Sequence, residues 1–596
     1  MGTAGNLTIS FGKNADVKLF SGFHDGEEIL PLKTETQADG IRFYYQVNPG
    51  KYHCLAKCEG LYSWWENFCF TEEELEQGVQ IVLPQECRTG EGFELDESMP
   101  VQCPSAKLWN KIMPDWDPSW EGYDFLWNTP VFSHSGHSFT THEEMLTFIG
   151  KLEQQNPYMR QFPLFTSPVY GLKVPLVVFS TADLSEADTL EDAAAILRAD
   201  GKPIVQYQAQ IHGNEPMGGE GSLAMMNWLS MPEGQKLLEK INVYVIPRFN
   251  PDGAKDYNRN CPATGKDPNR DFLHLINHEN RSVVSAYNLF MPEVVIDGHE
   301  FKHDMKCDTN DYPDMLFSCG LSLNNDPALR QKGVDLVHAC FQAVGQKQLR
   351  YFYYLGHVYS ANYARGAKYY GTKGTIPILV ETHGSWFGRY KRQRRLMGQF
   401  TAARRILEIV AAEAETFRDA VARERLRLRQ QVGKPFVLKS GYSKQGDGVV
   451  RSPIPQYVYD MATGEIVDDS DVYGYLLDVV EASRERPACY MLPLGEDWIP
   501  RVETQLQNHG ISFYKTEPIT ELLQRYEGTC DKITLSEKQE VTFPKGALVI
   551  PVAQVSANLV SALLEPDFGD GAADAGSFAQ WGLIPAENGG FPIYRK

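Results

Sequence analysis

Residues 203–220 read Pro203-Ile-Val-Gln-Tyr-Gln-Ala-Gln-Ile-His212-Gly-Asn-Glu215-Pro-Met-Gly-Gly-Glu220. The stretch opens as a strand, with Ile204, Val205 and Tyr207 in a short β-prone run. It closes at Pro216 and two glycines, and a helical pattern follows through Leu223, Met226, Trp228 and Leu229. His212 and Glu215 sit at the join. Ligands of open α/β sheets gather beyond the carboxyl ends of strands. An imidazole and a carboxylate on one such loop can hold one Zn²⁺ from the same side.

Outward from that stretch, helical and strand-like runs alternate, which predicts a mixed α/β unit over residues 137–431. Helices are expected at His142–Leu152, Asp188–Arg198, Asp326–Gln346 and, as one long element, Arg389–Gln431. Strands are expected at Leu172–Ser180, Ile204–Ile211, Val243–Pro247, Val294–Ile296 and Ile376–Val380. Residues 1–100 carry short alternating runs between Gly, Pro and Asp turns, which predicts a small β-sandwich. Residues 101–136 form an aromatic- and proline-rich connector with Trp109, Trp116, Trp120 and Trp127, read as rings pinning it to its neighbours. Residues 432–596 read as a separate α+β unit, with helices at Trp498–Asn508 and Ile519–Tyr526. The whole is an α/β protein with a central catalytic unit and two flanks.

At 596 residues the chain is too long for a single core. A net charge of −20 argues against nucleic acid, whose phosphates need a basic surface. No run of 18 apolar residues marks a membrane span. The start Met1-Gly-Thr-Ala-Gly-Asn lacks a secretory pattern, and an odd count of 11 cysteines favours reduced thiols, so a cytoplasmic setting is expected. Five of the cysteines fall in the first 103 residues, where a disulfide is conceivable. The basic run Arg389, Lys391, Arg392, Arg394 and Arg395 reads as a solvated helix face.

A catalytic zinc needs three protein ligands and an open position. Val294-Val-Ile-Asp-Gly-His299 supplies the third ligand after an apolar run, with Asp297 placed to orient an imidazole. A rival reading takes His299-Glu-Phe-Lys-His303 as the helical H-E-x-x-H motif, but a β-type run ends just before it. A second His-x-x-Glu, His24-Asp-Gly-Glu27, lies in a turn and reads as a hairpin tip. Thr375-Ile-Pro-Ile-Leu-Val-Glu381 ends an apolar strand in a carboxylate suited to take a proton from water. Asn250-Pro-Asp-Gly253 marks a tight turn. Arg259 and the pair Asn269-Arg270 follow, and an Arg/Asn pair grips carboxylates with charge-assisted hydrogen bonds.

His212-Gly-Asn-Glu215, Asn250-Pro-Asp-Gly253, Asn269-Arg270, Asp297-Gly-His299 and Glu381 together resemble the zinc carboxypeptidase family of the carboxypeptidase A type, over about residues 140–410. The resemblance implies an α/β/α core with a mixed sheet and one Zn²⁺ on His212, Glu215 and His299. It implies Glu381 as general base and acid, Arg259 at the oxyanion, and Asn269 and Arg270 on the substrate's terminal carboxylate. A mobile tyrosine is implied as well, with Tyr363 the first candidate and Tyr359, Tyr369 and Tyr370 the others. Arg365 or Lys368 at the side-chain pocket would favour an acidic terminal residue; Gly366 or Ala367 would favour a bulky apolar one. The flanks look like those of multidomain bacterial relatives. The expected substrate is a peptide or amino-acid amide. A related amidohydrolase or isopeptide hydrolase on the same core, and an inert binding protein, are the alternatives.

Overall fold

A computed structural model describes residues 5–11, 15–21, 27–37, 40–58, 64–70, 72–82, 116–133, 139–301, 313–354, 363–384, 392–442, 450–455, 458–459, 466–468, 471–476, 478–569 and 576–596. The turn at His24, Trp109, Cys87, Cys103, His303, Tyr359, Arg389 and Lys391 lie outside these residues.

The central sheet has eight strands. In chain order they are β1 (Met159–Thr166), β2 (Lys173–Phe179), β3 (Ile204–Ala209), β4 (Asn242–Ile246), β5 (Val294–Phe301), β6 (Met315–Cys319), β7 (Tyr351–Tyr353) and β8 (Ile376–His383). Their spatial order is β7-β6-β8-β5-β3-β4-β2-β1. The inner strands β4, β3, β5 and β8 run parallel, while β2 and β6 pair antiparallel to that block. Parallel inner strands must be covered on both faces, which is why they read as near-continuous apolar runs.

Side-chain alternation divides the two cores. On one face Val205, Tyr207, Val243, Val245, Val294, Ile296, Ile378 and Val380 pack under helices α3 (Pro216–Leu229), α5 (Pro327–Gly345) and α7 (Arg392–Ala412). On the other, Ile204, Tyr244, Ile246 and Val295 pack with α2 (Leu190–Asp200) and α4 (His278–Phe290). Helix α1 spans His142–Gln155 and is closed by a Thr141/Glu144 capping box. Helix α6 (Gly366–Gly371) lies just before β8.

The second core does not stop at the central unit. It runs without a break into Tyr490, Trp498, Ile499, Val502, Ile511, Phe568, Phe578 and Ile584 of the C-terminal segment. That segment carries strands Cys489–Pro493, Ala547–Pro551 and Gly590–Arg595 in a seven-stranded sheet. At the N-terminus, two four-stranded sheets enclose a separate core of Leu7, Ile9, Leu19, Phe43, Tyr45, Cys54 and Ile81. Cys54, Cys261, Cys319, Cys340, Cys489 and Cys530 are free thiols.

Three expectations need correction. Residues 519–526 are strand, within Ile519–Thr529, because pairing with Gln539–Phe543 and Gly590–Arg595 overrides a leucine- and glutamate-rich composition. The long helix after residue 389 is two, α7 and α8 (Ala414–Leu428), split at Glu413 with φ −115° and ψ 31°. Within its basic run Arg394 and Arg395 are not solvated: Arg394 pairs with Asp314 at 2.6 Å and Arg395 with Glu300 at 2.6 Å, all four buried. Strand β1, with Pro163 inside it, was not anticipated; Pro163 is tolerated because β1 is the sheet edge. The aromatic connector is pinned: Trp120 is fully buried, donates to Lys347 O at 2.9 Å, and meets Trp116 edge-on.

Candidate metal centre

The site lies where β3, β5 and β8 end. His212 and Glu215 sit on the turn between β3 and α3, and Glu215 is the residue before the helix begins at Pro216. Gly213 in that turn meets Gly253 so closely that a Cβ on it would lie 2.0 Å from Gly253 C. The Asn250–Gly253 segment is the start of a helix, Pro251–Asp256, rather than a free turn: Asn250 caps it by accepting from Gly253 N–H at 2.9 Å. Asp252 buttresses it from Ser167 Oγ and the backbone N–H groups of Val169 and Tyr170. The two motifs therefore brace each other.

His299 and Glu381 are register partners on adjacent parallel strands, so their side chains leave the sheet on one face. Asp297 shares that face. The next residue, Glu300, points the other way, into Arg395, and accepts from Met217 N–H at the start of α3. Because β5 continues as strand through Phe301, His299 is not on a helix; His303 lies outside the described residues.

His212, Glu215 and His299 offer ligand atoms within 4.8 Å of one another, all buried. Glu215 Oε1 lies 2.7 Å from His212 Nδ1, and Oε2 lies 2.9 Å from His299 Nδ1. Each imidazole's far nitrogen meets a carboxylate: His212 Nε2 to Asp267 at 3.1 Å, His299 Nε2 to Asp297 at 3.2 Å. That fixes both rings with Nδ1 turned inward, the arrangement metal-ligating histidines require. Two imidazoles and a carboxylate, each braced from behind, fit Zn²⁺.

Charge is concentrated here. Burial opposes ionisation of Glu215 and Asp267, yet the adjoining histidines, and for Asp267 also Arg259 and Arg270, hold both well below the usual carboxylate range. Burial alone would lower His299; Asp297 and Glu215 hold it well above the ordinary imidazole value. Burial pushes Glu381 up to about 8, with Glu215 adding and His299 and Arg259 opposing. A cation between the ligands would pull Glu381 back down.

The remaining residues divide. Arg259, a third exposed, reaches Glu215 Oε1 at 3.1 Å and Asp267 Oδ2 at 3.0 Å, so it borders the ligand cluster. Asn269 and Arg270 form a 3₁₀ turn capped by Asp267, which accepts from Asn269 N–H at 2.8 Å. Asn269 Nδ2 lies 3.4 Å from His299 Nε2. Tyr363 is the correction: it is fully buried, its hydroxyl is held by Ser322 and Asn324, and its ring packs on Phe568. It packs into the second core. Tyr369 and Tyr370 are likewise buried below the sheet face, Tyr370 donating to Gln208 Oε1.

Two residues escaped the sequence reading. Asp267 follows Gly265-Lys266 with no apolar strand before it, so only its place beside Asn269-Arg270 could have flagged it. Tyr354, just past β7, is half-buried; burial raises its hydroxyl, Glu381 and Glu215 raise it further, and Arg365 and Arg270 oppose them. A one-residue overhang on a three-residue strand left no signal.

A zinc carboxypeptidase profile matches residues 145–291, a span that includes His212, Glu215, Arg259, Asn269 and Arg270. Over 508 residues the chain is 26% identical to carboxypeptidase 2 of Trichophyton equinum, covering 78% of this chain and 88% of that one. The Trichophyton rubrum carboxypeptidase 2 is 26% identical over 506 residues, with the same coverage. Residues 145–291 are thus similar to zinc carboxypeptidases, and most of the chain is similar to the fungal carboxypeptidases. Among solved structures, a Burkholderia cenocepacia metallo-carboxypeptidase is similar at 20% identity and a TM-score of 0.35, covering 46% of this chain and 69% of that one. A Pseudomonas aeruginosa metallo-carboxypeptidase aligns at 15% identity and a TM-score of 0.36, over 68% and 82% of the two chains. The similarity to the fungal relatives covers 78% of this chain, well beyond the 145–291 span of the profile match. No described helix is long and apolar enough to cross a membrane.

Proposed function

We propose that this metallocarboxypeptidase releases the C-terminal residue of peptides, with His212, Glu215 and His299 holding one Zn²⁺. The observation carrying the proposal is the convergence of three buried ligand atoms within 4.8 Å, with Glu381 beside His299 in register. Zinc held there would supply Lewis acidity, making water nucleophilic near neutral pH and polarising the scissile carbonyl. Glu381 takes the proton from the attacking water and returns it to the leaving amine. Arg259 stabilises charge developing on the carbonyl oxygen from the edge of the ligand cluster. Asn269 and Arg270 bind the terminal carboxylate, which places the last peptide bond, and no other, at Glu381. Tyr354, whose hydroxyl feels the charges of Glu381 and Arg270, replaces Tyr363 as the candidate tyrosine at the site.

The test is an N-blocked dipeptide with free and amidated C-termini. Chelation should abolish hydrolysis of the free acid and zinc should restore it; the amide should resist. Equal cleavage of acid and amide would replace this reading with an amidohydrolase acting on the same core.

A further inference from the structure

The carboxylate-binding turn and α6 are fastened to each other near the site. Gly366 N–H donates to Asn269 Oδ1 at 2.8 Å, and Phe272 N–H donates to Ala364 O at 3.0 Å. The Phe272 ring lies 5.5 Å from Tyr369 and so close to Gly366 that a Cβ there would come within 2.9 Å of it. Deeper in, both segments meet one side chain from the C-terminal segment. His509, fully buried, follows helix Ile499–Asn508. Its Nε2 lies 3.0 Å from Leu273 O and its Nδ1 2.9 Å from the Tyr369 hydroxyl.

A carbonyl only accepts, so Nε2 carries the proton and Nδ1 accepts from Tyr369. Both nitrogens are thus committed, one to the segment three residues after Arg270, the other to α6. The clasp is itself anchored. Lys373 Nζ donates to His509 O at 2.6 Å, Asn288 Nδ2 donates to Asn508 O at 3.2 Å, and Trp581 stacks on His274 at 4.3 Å. Burial keeps the imidazole neutral, as this bonding pattern requires.

We propose that His509 is a positioning residue for the carboxylate clamp: by joining Leu273 to Tyr369 it fixes the turn that carries Asn269 and Arg270 against α6. The C-terminal segment then contributes to substrate binding without touching substrate. The inference rests on the proposed role of Asn269 and Arg270.

The experiment uses the full, zinc-loaded chain and two readouts. In hydrolysis of the N-blocked dipeptide, His509→Ala should raise KM about tenfold with kcat within about threefold of wild type. His509→Gln, which keeps a donor for Leu273 O, should return KM to within about threefold. In calorimetry, His509→Ala should weaken binding of an N-blocked amino acid bearing a free carboxylate and leave binding of its amide unchanged. Should the alanine variant not fold, Tyr369→Phe removes one bond of the clasp and should raise KM about threefold at unchanged kcat. An unchanged KM in a folded variant, or equal weakening of acid and amide, overturns the proposal. A wild-type chain that binds the carboxylate ligand but cleaves nothing would sink the hydrolytic function, and the calorimetric arm would still decide the clasp.

Discussion

His299 and His509 are both buried imidazoles with both ring nitrogens engaged, and they differ in what engages them. His299 has a carboxylate at each nitrogen, Glu215 and Asp297. His509 has a hydroxyl and a carbonyl, with the Lys373 amine on its backbone and His274 nearby. Carboxylates around a buried imidazole leave the cluster with surplus negative charge that a cation can neutralise. Neutral partners leave nothing for a cation to do. Burial and the Lys373 charge instead push His509 down to about 3, and it serves as a neutral two-ended hydrogen bonder. The surroundings, not the residue type, separate the proposed metal ligand from the proposed clasp.

The sharpest way to break the comparison is to remove each imidazole in turn. His299→Ala should lose stoichiometric zinc and at least about 10³-fold in kcat/KM, since an open three-ligand site cannot spare one. His509→Ala should keep one zinc per chain. Metal analysis after dialysis reads both, and zinc lost from the His509 variant would erase the distinction. Glu381→Gln belongs with the first group but should part zinc from activity: metal retained, kcat down about 10²–10⁴-fold, as expected for loss of a general base.

A smaller effect tests the carboxylates behind the ligands. Asp297→Ala removes the brace on His299 Nε2 and should weaken zinc binding by about 10–100-fold, measured by competition with a chelating dye. Asp267→Ala should do the same through His212 and also release Arg259. Affinity unchanged in both would mean that the inner ligands alone set zinc binding.

The convergence of the proposed ligands was legible because each member follows a strand-terminal pattern. His212 and Glu215 come after Ile204–Ala209, His299 at the end of an apolar run, and Glu381 likewise. Strand ends bring distant residues together by rule, so order and spacing were enough. Tyr363 was misread because a tyrosine upstream of a catalytic glutamate has no periodicity to say which way it faces; packing against Phe568 decides that. The basic run on α7 was misread for the same reason, since Asp314 and Glu300 pair with it from 80 and 95 residues away. His509 gave no sign at all. Its partners lie 140 and 236 residues upstream, and nothing in Asn508-His509-Gly510 distinguishes it from a surface turn.

Acid titration sharpens the contrast at the level of stability. His509 titrates at about 3 when folded against about 6.5 unfolded, so the unfolded chain binds the extra proton between those values. Stability is therefore fully present above pH 6.5 and falls as pH drops toward 3, by an amount on the order of 5 kcal/mol for a group this deeply buried. His142, pushed down to about 4 by burial and Arg248, contributes in the same direction. Urea midpoints from pH 7.5 to 4.5 should decline less steeply in zinc-loaded His509→Gln than in wild type. Parallel curves would mean that His509 is not held neutral.

The smallest effect isolates the charge that faces the clasp. Lys373 is fully buried, donates to His509 O and Asn288 Oδ1, and is itself pushed down to about 7 by burial and Arg425. Its positive charge is the second cause of His509's depression, after burial. Replacing it, Lys373→Met, should let the folded imidazole titrate nearer its unfolded value. The decline in stability between pH 6.5 and 4.5 should become shallower, though by less than in His509→Gln, because burial remains. The variant starts from lower stability, since the buried His509 O and the partly buried Asn288 Oδ1 lose their donor, so the slope is the readout and the midpoint at neutral pH is not. Lys373's own titration cannot mimic the result. Its folded value lies near 7 and its unfolded value near 10.5, so its linkage acts only above neutrality, where stability rises with pH. An acid limb as steep as wild type in Lys373→Met would assign the depression of His509 to burial alone and leave the clasp in place without its electrostatic guard.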